Sequence, residues 1–134
     1  MSALLGYARI STTDQDASLQ HDALTAAGCG RIFSDTASGA HADRPELLRM
    51  LDYARAEDTI VVWRLDRLGR SLRNLVELVN ELGERQIDLR SLQENIDTAT
   101  ATGRLIFHVF GSLAEFEREL IRERTKAGLA SARA

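Results

Sequence analysis

The longest uninterrupted helical pattern in this 134-residue chain lies at its C-terminal end. From Gly103 to Ala134 the only weak helix formers are Gly111 and Gly128, which a helix tolerates. A helix of about 30 residues rises about 45 Å, whereas a compact domain of about 100 residues has a radius of gyration near 13 Å. The pattern therefore predicts a helix that extends beyond its own domain. It divides the chain into an α/β domain at 1–102 and a helix at 103–134.

The two halves of this predicted helix differ in character. The stripe of apolar residues in the first half is too wide for one face of a surface helix, so we expect one side to pack on its own domain and another on a partner chain. The second half, from Arg118, holds five basic and two acidic residues, as a phosphate-binding arm would. A solvated helix end whose cations complement the helix dipole is the alternative. The apolar residues are Leu105, Ile106, Phe107, Val109, Phe110, Leu113, Phe116, Leu120 and Ile121.

Strand and helix patterns alternate before this segment. Strands are predicted over 4–10, 31–34, 59–63 and 87–92, and helices over 17–27, from Pro45, and over 72–85. Residues 95–102 are predicted to form a loop. This alternation indicates an α/β fold, with a mostly parallel central sheet flanked by helices and right-handed crossovers. The residues expected to face the core from the first two helices are Leu19, Ala23, Leu24 and Ala27, then Leu47, Leu48, Leu51 and Ala54.

Composition excludes several classes of protein. A single Cys29 rules out a disulfide framework, and no apolar run is long enough to cross a membrane, so we expect a cytoplasmic protein. The three histidines lack metal-ligand spacing, and we expect neither metal nor cofactor. A net charge of −3 argues against binding nucleic acid by bulk attraction. Of the 17 basic residues, 16 are arginine and only Lys126 is lysine. A GC-rich genome would account for many of them, such as Arg31, Arg49, Arg55, Arg85 and Arg90.

The first candidate site follows the first strand. Tyr7, Arg9 and Ser11 alternate along it and so share a face, and Ser11 lies at the carboxyl end, where open α/β sheets bind ligands. A hydroxyl beside a guanidinium there could attack phosphorus. A capping box formed by Ser11 and Asp14 at the start of the first helix is the structural alternative.

The second candidate site is a run of arginines after the most strand-like segment, 59–63. Arg64, Arg67, Arg70 and Arg73 recur at every third position around Asp66. Guanidinium groups concentrated in this way repel one another unless an anion binds, and a phosphodiester offers paired acceptor oxygens. Arg73 could instead decorate a helix surface, and Ser71 is interpreted as a helix cap.

A small-residue loop from Asp35 to Arg44 could supply a second wall to this site. Within it, Ser38-Gly39 and Asp43-Arg44 would place Arg44 near the phosphate. Taken alone, the loop has ordinary turn composition.

Together these segments resemble the catalytic domain of the serine recombinases, the resolvases and DNA invertases. The resemblance covers the whole chain, and the segments 62–67 and 107–109 are closest to the invertase branch. The matching motifs are Tyr7-Ala8-Arg9-Ile10-Ser11-Thr12, Asp35 with Ser38-Gly39 and Asp43-Arg44-Pro45, Leu65-Asp66-Arg67-Leu68-Gly69-Arg70, and Glu117-Arg118-Glu119 with Glu123-Arg124-Thr125.

The resemblance implies a metal- and ATP-independent enzyme that cleaves and rejoins DNA strands. Ser11 would form a reversible 5′-phosphoseryl linkage, and strand exchange and religation would follow, with DNA inversion as the expected outcome. The residues it implies at the site are Arg9, Arg67, Arg70, Arg44 and Asp66 around the phosphate, with Tyr7, Gln20, Asp35 and Ser38 in support. Asp66 and an exposed arginine are both open as the base for Ser11.

The resemblance also implies partners. These are a double-stranded recombination site, a homodimer that assembles into a homotetramer on nucleoid DNA, and an accessory DNA-bending protein. The long helix would form the dimer interface, and its arm (Arg118, Arg122, Arg124 and Lys126) would cross the minor groove. The family continues into a helix-turn-helix domain, which this chain lacks, so we expect a fragment or a naturally minimal relative.

Two other classes of function compete with this interpretation. A non-enzymatic DNA-binding or dimerisation module would use the helical arm but leave Ser11 and the Asp66-Arg67 cluster without a role. A receiver-like phosphate-binding domain would require an acidic pocket and a lysine at the strand ends, where this chain has arginines.

Overall fold

The computed structural model describes residues 2–10, 14–36 and 44–133. They form one sheet with the strand order β2-β1-β3-β4-β5. Strands β1 to β4 are parallel, and β5 joins the edge antiparallel to β4. The predicted α/β fold, with its mostly parallel sheet and long final helix, is confirmed. The strands are β1 (Leu4–Ile10), β2 (Arg31–Thr36), β3 (Thr59–Val62), β4 (Asp88–Ser91) and β5 (Ile96–Asp97), and the helices are α1 (Asp14–Ala26), α2 (Pro45–Tyr53), a 3₁₀ turn (Leu65–Arg67), α3 (Leu72–Glu84) and α4 (Ala101–Arg133).

The two faces of the sheet are covered unequally, and alternation along β1 explains why. Leu5 and Tyr7 point to the larger core, which α2, α3 and α4 complete. Ala8 points to the opposite face, beneath α1. At Gly6 a Cβ atom would lie 3.1 Å from Ile32 Cγ1, so the small residue allows close packing on the α1 side. The site residues on the Tyr7 face therefore lie beside α2 and α3.

Two leucines expected in the core are exposed. Leu19 is 56% exposed and Leu48 is 64% exposed. In α1 the buried position belongs to Gln20, whose amide bonds to the backbone of β1. In α2 it belongs to Met50, one turn after Leu47. Apolar periodicity alone was wrong at these two positions, because a polar contact and a neighbouring methionine set the helix rotation.

The predicted loop at 95–102 contains the short strand β5 and the first residues of α4. Asn95 adopts a positive φ of 54°, which suits the tight turn between β4 and β5. The Thr100 hydroxyl accepts a hydrogen bond from the Gly103 N–H at 3.0 Å, so the helix begins at Ala101 and not at Gly103.

Helix α4 is 33 residues long, which corresponds to about 50 Å. Phe107 is buried against the sheet, and Ile106 and Phe110 pack beside it. A second stripe of large apolar side chains, about a third of a turn around the helix, is exposed: Leu105, Val109, Leu113 and Phe116. The predicted two-sided helix is thus present, with one apolar side uncovered in the single chain. Within the described ranges, no helix has both the length and the apolar character that a membrane crossing requires.

Gly103 allows the start of α4 to pack closely against β5. A Cβ atom there would lie 1.9 Å from the Asp97 carbonyl oxygen, whereas at Gly111 the nearest atom would be Val76 Cγ1 at 3.6 Å. We expect Gly103→Ala to destabilise the protein by about 1–3 kcal/mol through overpacking. The matched Gly111→Ala should be neutral or stabilising by up to about 1 kcal/mol, because alanine favours helix. Urea unfolding measures both, and equal stability of the two variants would contradict this account.

Candidate active site

The carboxyl ends of β1, β2 and β3 meet at one edge of the sheet and bring the predicted site residues together. Because β1 lies between β2 and β3, Arg9 at its end is flanked by Asp35 of β2 and by the 3₁₀ turn that follows β3. Two predicted residues, Ser11 and Ser38, lie outside the described residues. Ser11 follows β1 directly in the sequence.

Asp35 joins β2, β1 and α2 through one buried carboxylate. It accepts hydrogen bonds from the Tyr7 hydroxyl at 2.8 Å, from the Glu46 N–H at 2.9 Å and from the Leu47 N–H at 3.0 Å. The two backbone donors belong to the first turn of α2, where a negative charge is favourable. Burial, together with the hydrogen bond and charge of Asp35, holds the pKa of Tyr7 well above its usual range. Asp35 therefore links the Tyr7 hydroxyl to the start of α2 at this edge of the sheet.

Arg44 precedes α2 and reaches across to the segment after β3. Its guanidinium donates to the Leu68 carbonyl oxygen and, at 3.1 Å, to Asn74 Oδ1. Burial lowers the pKa of Arg44, and the nearby charges of Arg9 and Arg70 lower it further, against the opposing effect of Tyr7. These three cations are thus close enough to interact, although only Arg70 belongs to the run of arginines in which the sequence predicts crowding.

Arg9 is fixed at both its backbone and its side chain. Gln20, fully buried in α1, donates to the Arg9 carbonyl oxygen at 2.9 Å and accepts from the Arg9 N–H at 3.3 Å. The Arg9 guanidinium donates to the backbone carbonyl oxygen of Asp66 at 2.5 Å. Gln20 therefore sets where β1 ends, and the side chain of Arg9 links β1 to the 3₁₀ turn.

Asp66 and Arg67 both lie in the 3₁₀ turn, but their side chains differ in exposure to solvent. The Asp66 side chain is 65% exposed, and its Oδ1 lies 3.3 Å from Arg64 Nε and 3.9 Å from Arg67 Nε. The Arg67 side chain is only 19% exposed, so it lies within the site. Arg64 stacks on the Trp63 ring at 4.8 Å. Arg64 is therefore paired with Asp66 and shares that carboxylate oxygen with Arg67.

The remaining members of the arginine run are placed by α3. The Arg70 backbone N–H donates to Asn74 Oδ1 at 3.1 Å. Ser71 caps α3 by accepting from the Asn74 N–H at 3.0 Å, as interpreted from the sequence. Arg73 pairs with Glu77 on the exposed surface at 3.2 Å, which confirms its surface role. At Gly69 a Cβ atom would lie 2.6 Å from Leu75 Cβ, so only glycine lets this turn fold onto α3.

Sequence reasoning missed two residues that hold the site. One is Asn74, which contacts both Arg44 and Arg70. The other is Glu94, which accepts from the Ser91 hydroxyl and from the Leu65 N–H at 3.2 Å, and so anchors the start of the 3₁₀ turn. No motif marks either residue, because each bonds to a group 29 or 30 residues away as well as to a near neighbour. Across the described part of the chain, no three His, Cys, Asp or Glu side chains cluster in a way that could hold a metal ion.

The arm residues lie on the last turns of α4. Arg118, Arg122 and Arg124 are exposed, and the Lys126 side chain lies outside the described ones.

An α/β domain with an arginine-lined sheet edge and a projecting final helix has the form of a recombinase catalytic domain. Comparison with known families agrees: the model "Resolvase, N terminal domain" matches residues 4–134. The chain belongs to this family of serine recombinases.

Its relatives include DNA invertases. The chain is 58% identical to serine recombinase Gin of Escherichia phage Mu over 130 residues, which cover 97% of this chain and 67% of Gin. It is also 58% identical to DNA-invertase Hin of Salmonella typhimurium over 132 residues, covering 98% of this chain and 70% of Hin. The chain thus spans about two thirds of the length of these relatives.

A solved structure supports the same assignment. The N-terminal catalytic domain of TP901-1 integrase superposes with a TM-score of 0.74 at 33% identity, over 89% of this chain and 98% of that domain. The family membership favours the recombinase hypothesis over the non-enzymatic DNA-binding module and over the receiver-like domain.

The raised pKa of Tyr7 predicts an unusual titration. The chain has two tyrosines, so in a Tyr53→Phe variant Tyr7 is the only one. We expect the native variant to show little tyrosinate absorbance at its ordinary pKa of 10.0, because burial and Asp35 disfavour the anion. The neutral phenol stabilises the fold below that pH, and this contribution is lost as the pH rises through the higher folded pKa. The same variant in denaturant should titrate near 10, and native titration at that pH would contradict the prediction.

Proposed function

We propose that this chain is the catalytic domain of a site-specific DNA recombinase in which Ser11 is the nucleophile. The observation that carries the proposal is the crowding of Arg9, Arg44 and Arg70 at the sheet edge where β1 ends, directly before Ser11. Crowded guanidinium groups form a site for an anion that carries paired oxygens, and a DNA phosphodiester is such an anion.

The proposed chemistry exchanges one phosphoester bond for another. Ser11 Oγ attacks phosphorus and loses its proton to a base, while the bond from phosphorus to the 3′ oxygen breaks and that oxygen takes up a proton. The product is a 5′-phosphoseryl linkage and a free 3′-hydroxyl. Because the phosphoester bond energy is retained, the reverse attack by a 3′-hydroxyl rejoins strands without ATP. Asp66, exposed beside Arg64 and Arg67, and an arginine are both candidate bases.

Each side chain of the site has a proposed role. Arg9, Arg67 and Arg70 bind the non-bridging oxygens and stabilise the negative charge that increases in the transition state. Arg44 and Asp66 complete the pocket, and Tyr7, Gln20 and Asp35 hold it rigid. Ser38, which lies outside the described residues, is proposed to support the second wall.

The final helix is proposed to bring chains and DNA together. The exposed stripe at Leu105, Val109, Leu113 and Phe116 would be covered by a second copy of the chain, and paired dimers would form the tetramer in which strands are exchanged. Arg118, Arg122, Arg124 and Lys126 would contact the backbone of the recombination site. The identity to Hin, a DNA-invertase, supports DNA inversion as the outcome. An accessory DNA-bending protein is proposed as a further partner.

The nucleophile can be tested directly. Incubating the full-length protein with supercoiled DNA carrying its recombination sites should produce protein covalently attached to DNA 5′ ends. Ser11→Ala should abolish this adduct, because no other hydroxyl replaces the attacking oxygen. Gel electrophoresis after denaturation detects it. An adduct that persists in Ser11→Ala would disprove the assignment.

The arginine geometry gives a second prediction. Arg67→Lys keeps the charge but loses the planar fork, so we expect cleavage to fall by about 100-fold, comparable to losing one oriented oxyanion donor. The matched control is Arg73→Lys, on the exposed surface beside Glu77, which should cleave at the wild-type rate. Cleavage by Arg67→Lys within about threefold of wild type would contradict the role of the fork.

A further inference from the structure

Asn74 in α3 contacts two elements of the arginine site at once. Its Oδ1 accepts from the Arg44 guanidinium and from the Arg70 backbone N–H, both at 3.1 Å. Both partners are donors, so the oxygen and not the amide nitrogen must face them. The side chain of Asn74 thereby ties the residue before α2 to the turn before α3.

The acceptors that hold Arg44 and Arg9 share one property. Among the described residues, the Arg44 guanidinium donates to the Leu68 carbonyl and the Asn74 amide, and the Arg9 guanidinium donates to the Asp66 carbonyl. All three acceptors are uncharged oxygens. An uncharged acceptor fixes the direction of a guanidinium without neutralising it, whereas a carboxylate would form an ion pair.

We propose that Asn74 is a positioning residue, which orients Arg44 toward the scissile phosphate while leaving the positive charge of Arg44 uncompensated. This inference rests on the proposed function. The amide is the chemically required group, because an aspartate of nearly the same shape would hold Arg44 equally well but would compete with the phosphate for its charge.

Helix stability does not explain an asparagine at this position. Ser71 already caps α3, and Asn74 is the third residue of the helix, where an acidic side chain interacts favourably with the helix dipole. A purely structural role would therefore be filled by aspartate as well as by asparagine. The two roles predict opposite results for Asn74→Asp.

The experiment compares single-turnover cleavage by the full-length wild type, Asn74→Asp and Asn80→Asp on saturating recombination-site DNA. Asn80 is exposed, six residues and about 9 Å further along the same helix, so it controls for the added charge. We expect Asn74→Asp to cleave about tenfold or more slowly, less than the loss from deleting an oriented donor. Its thermal unfolding midpoint should equal or exceed that of wild type, and Asn80→Asp should cleave normally. DNA affinity, measured by gel retardation, should change less than about threefold, because the arm supplies most phosphate contacts.

The possible outcomes separate this inference from the function on which it rests. If the wild type forms no Ser11-dependent adduct, the proposed function fails. If the wild type cleaves and Asn74→Asp matches it within twofold, only the role of Asn74 is disproved. A slower Asn74→Asp with a lowered unfolding midpoint, or a loss confined to DNA affinity, would also overturn it.

Discussion

Repulsion among like charges is the constraint on which the site depends. Burial lowers the pKa of Arg44, and Arg9 and Arg70 lie close enough to lower it further. The fold balances this repulsion without placing a carboxylate on each cation, since the Arg9 and Arg44 side chains are held by uncharged oxygens. The unneutralised charge destabilises the empty site and favours an anion, so part of the folding free energy is given up for the anion binding that the proposed function requires.

The position of Arg44 follows from a different interaction, the buried carboxylate of Asp35. Its three hydrogen bonds fix the start of α2 against β2 and the Tyr7 hydroxyl. Arg44 is the residue immediately before that helix, so its backbone is placed by the same contact. Asp35 is therefore satisfied by neutral donors and does not neutralise the arginines. Tyr7, which Asp35 holds, also interacts with Arg44, so the support of the site and its positive charge meet at this phenol.

These features explain which parts of the molecule could be predicted. The sheet, the helices and the arginine cluster follow from local patterns, because parallel strands must place their carboxyl ends at one edge. Asn74 and Glu94 could not be found in this way, since the contacts of Asn74 with Arg44 and of Glu94 with Leu65 join residues 30 and 29 positions apart. The exposure of Leu19 has a similar cause, because the hydrogen bond from Gln20 to the β1 backbone sets the rotation of α1 about its axis. Leu19 is thereby turned toward the solvent. Strand β5 is too short, at two residues, to show any periodicity.

Genome bias explains only part of the excess of arginine over lysine. Two arginines outside the site make contacts of their own. Arg85 donates from one nitrogen to the Leu51 and Ala54 carbonyl oxygens at the end of α2, at 2.7 and 3.0 Å. Arg31 lies over the Tyr53 ring at 4.4 Å and the Phe33 ring at 5.1 Å. These contacts give Arg85 and Arg31 a structural role, whereas genome bias remains sufficient for Arg55 and Arg90. In one acidic chain the guanidinium group thus satisfies carbonyl oxygens at a helix end, stacks on aromatic rings and, in the proposed function, binds a phosphate at the sheet edge.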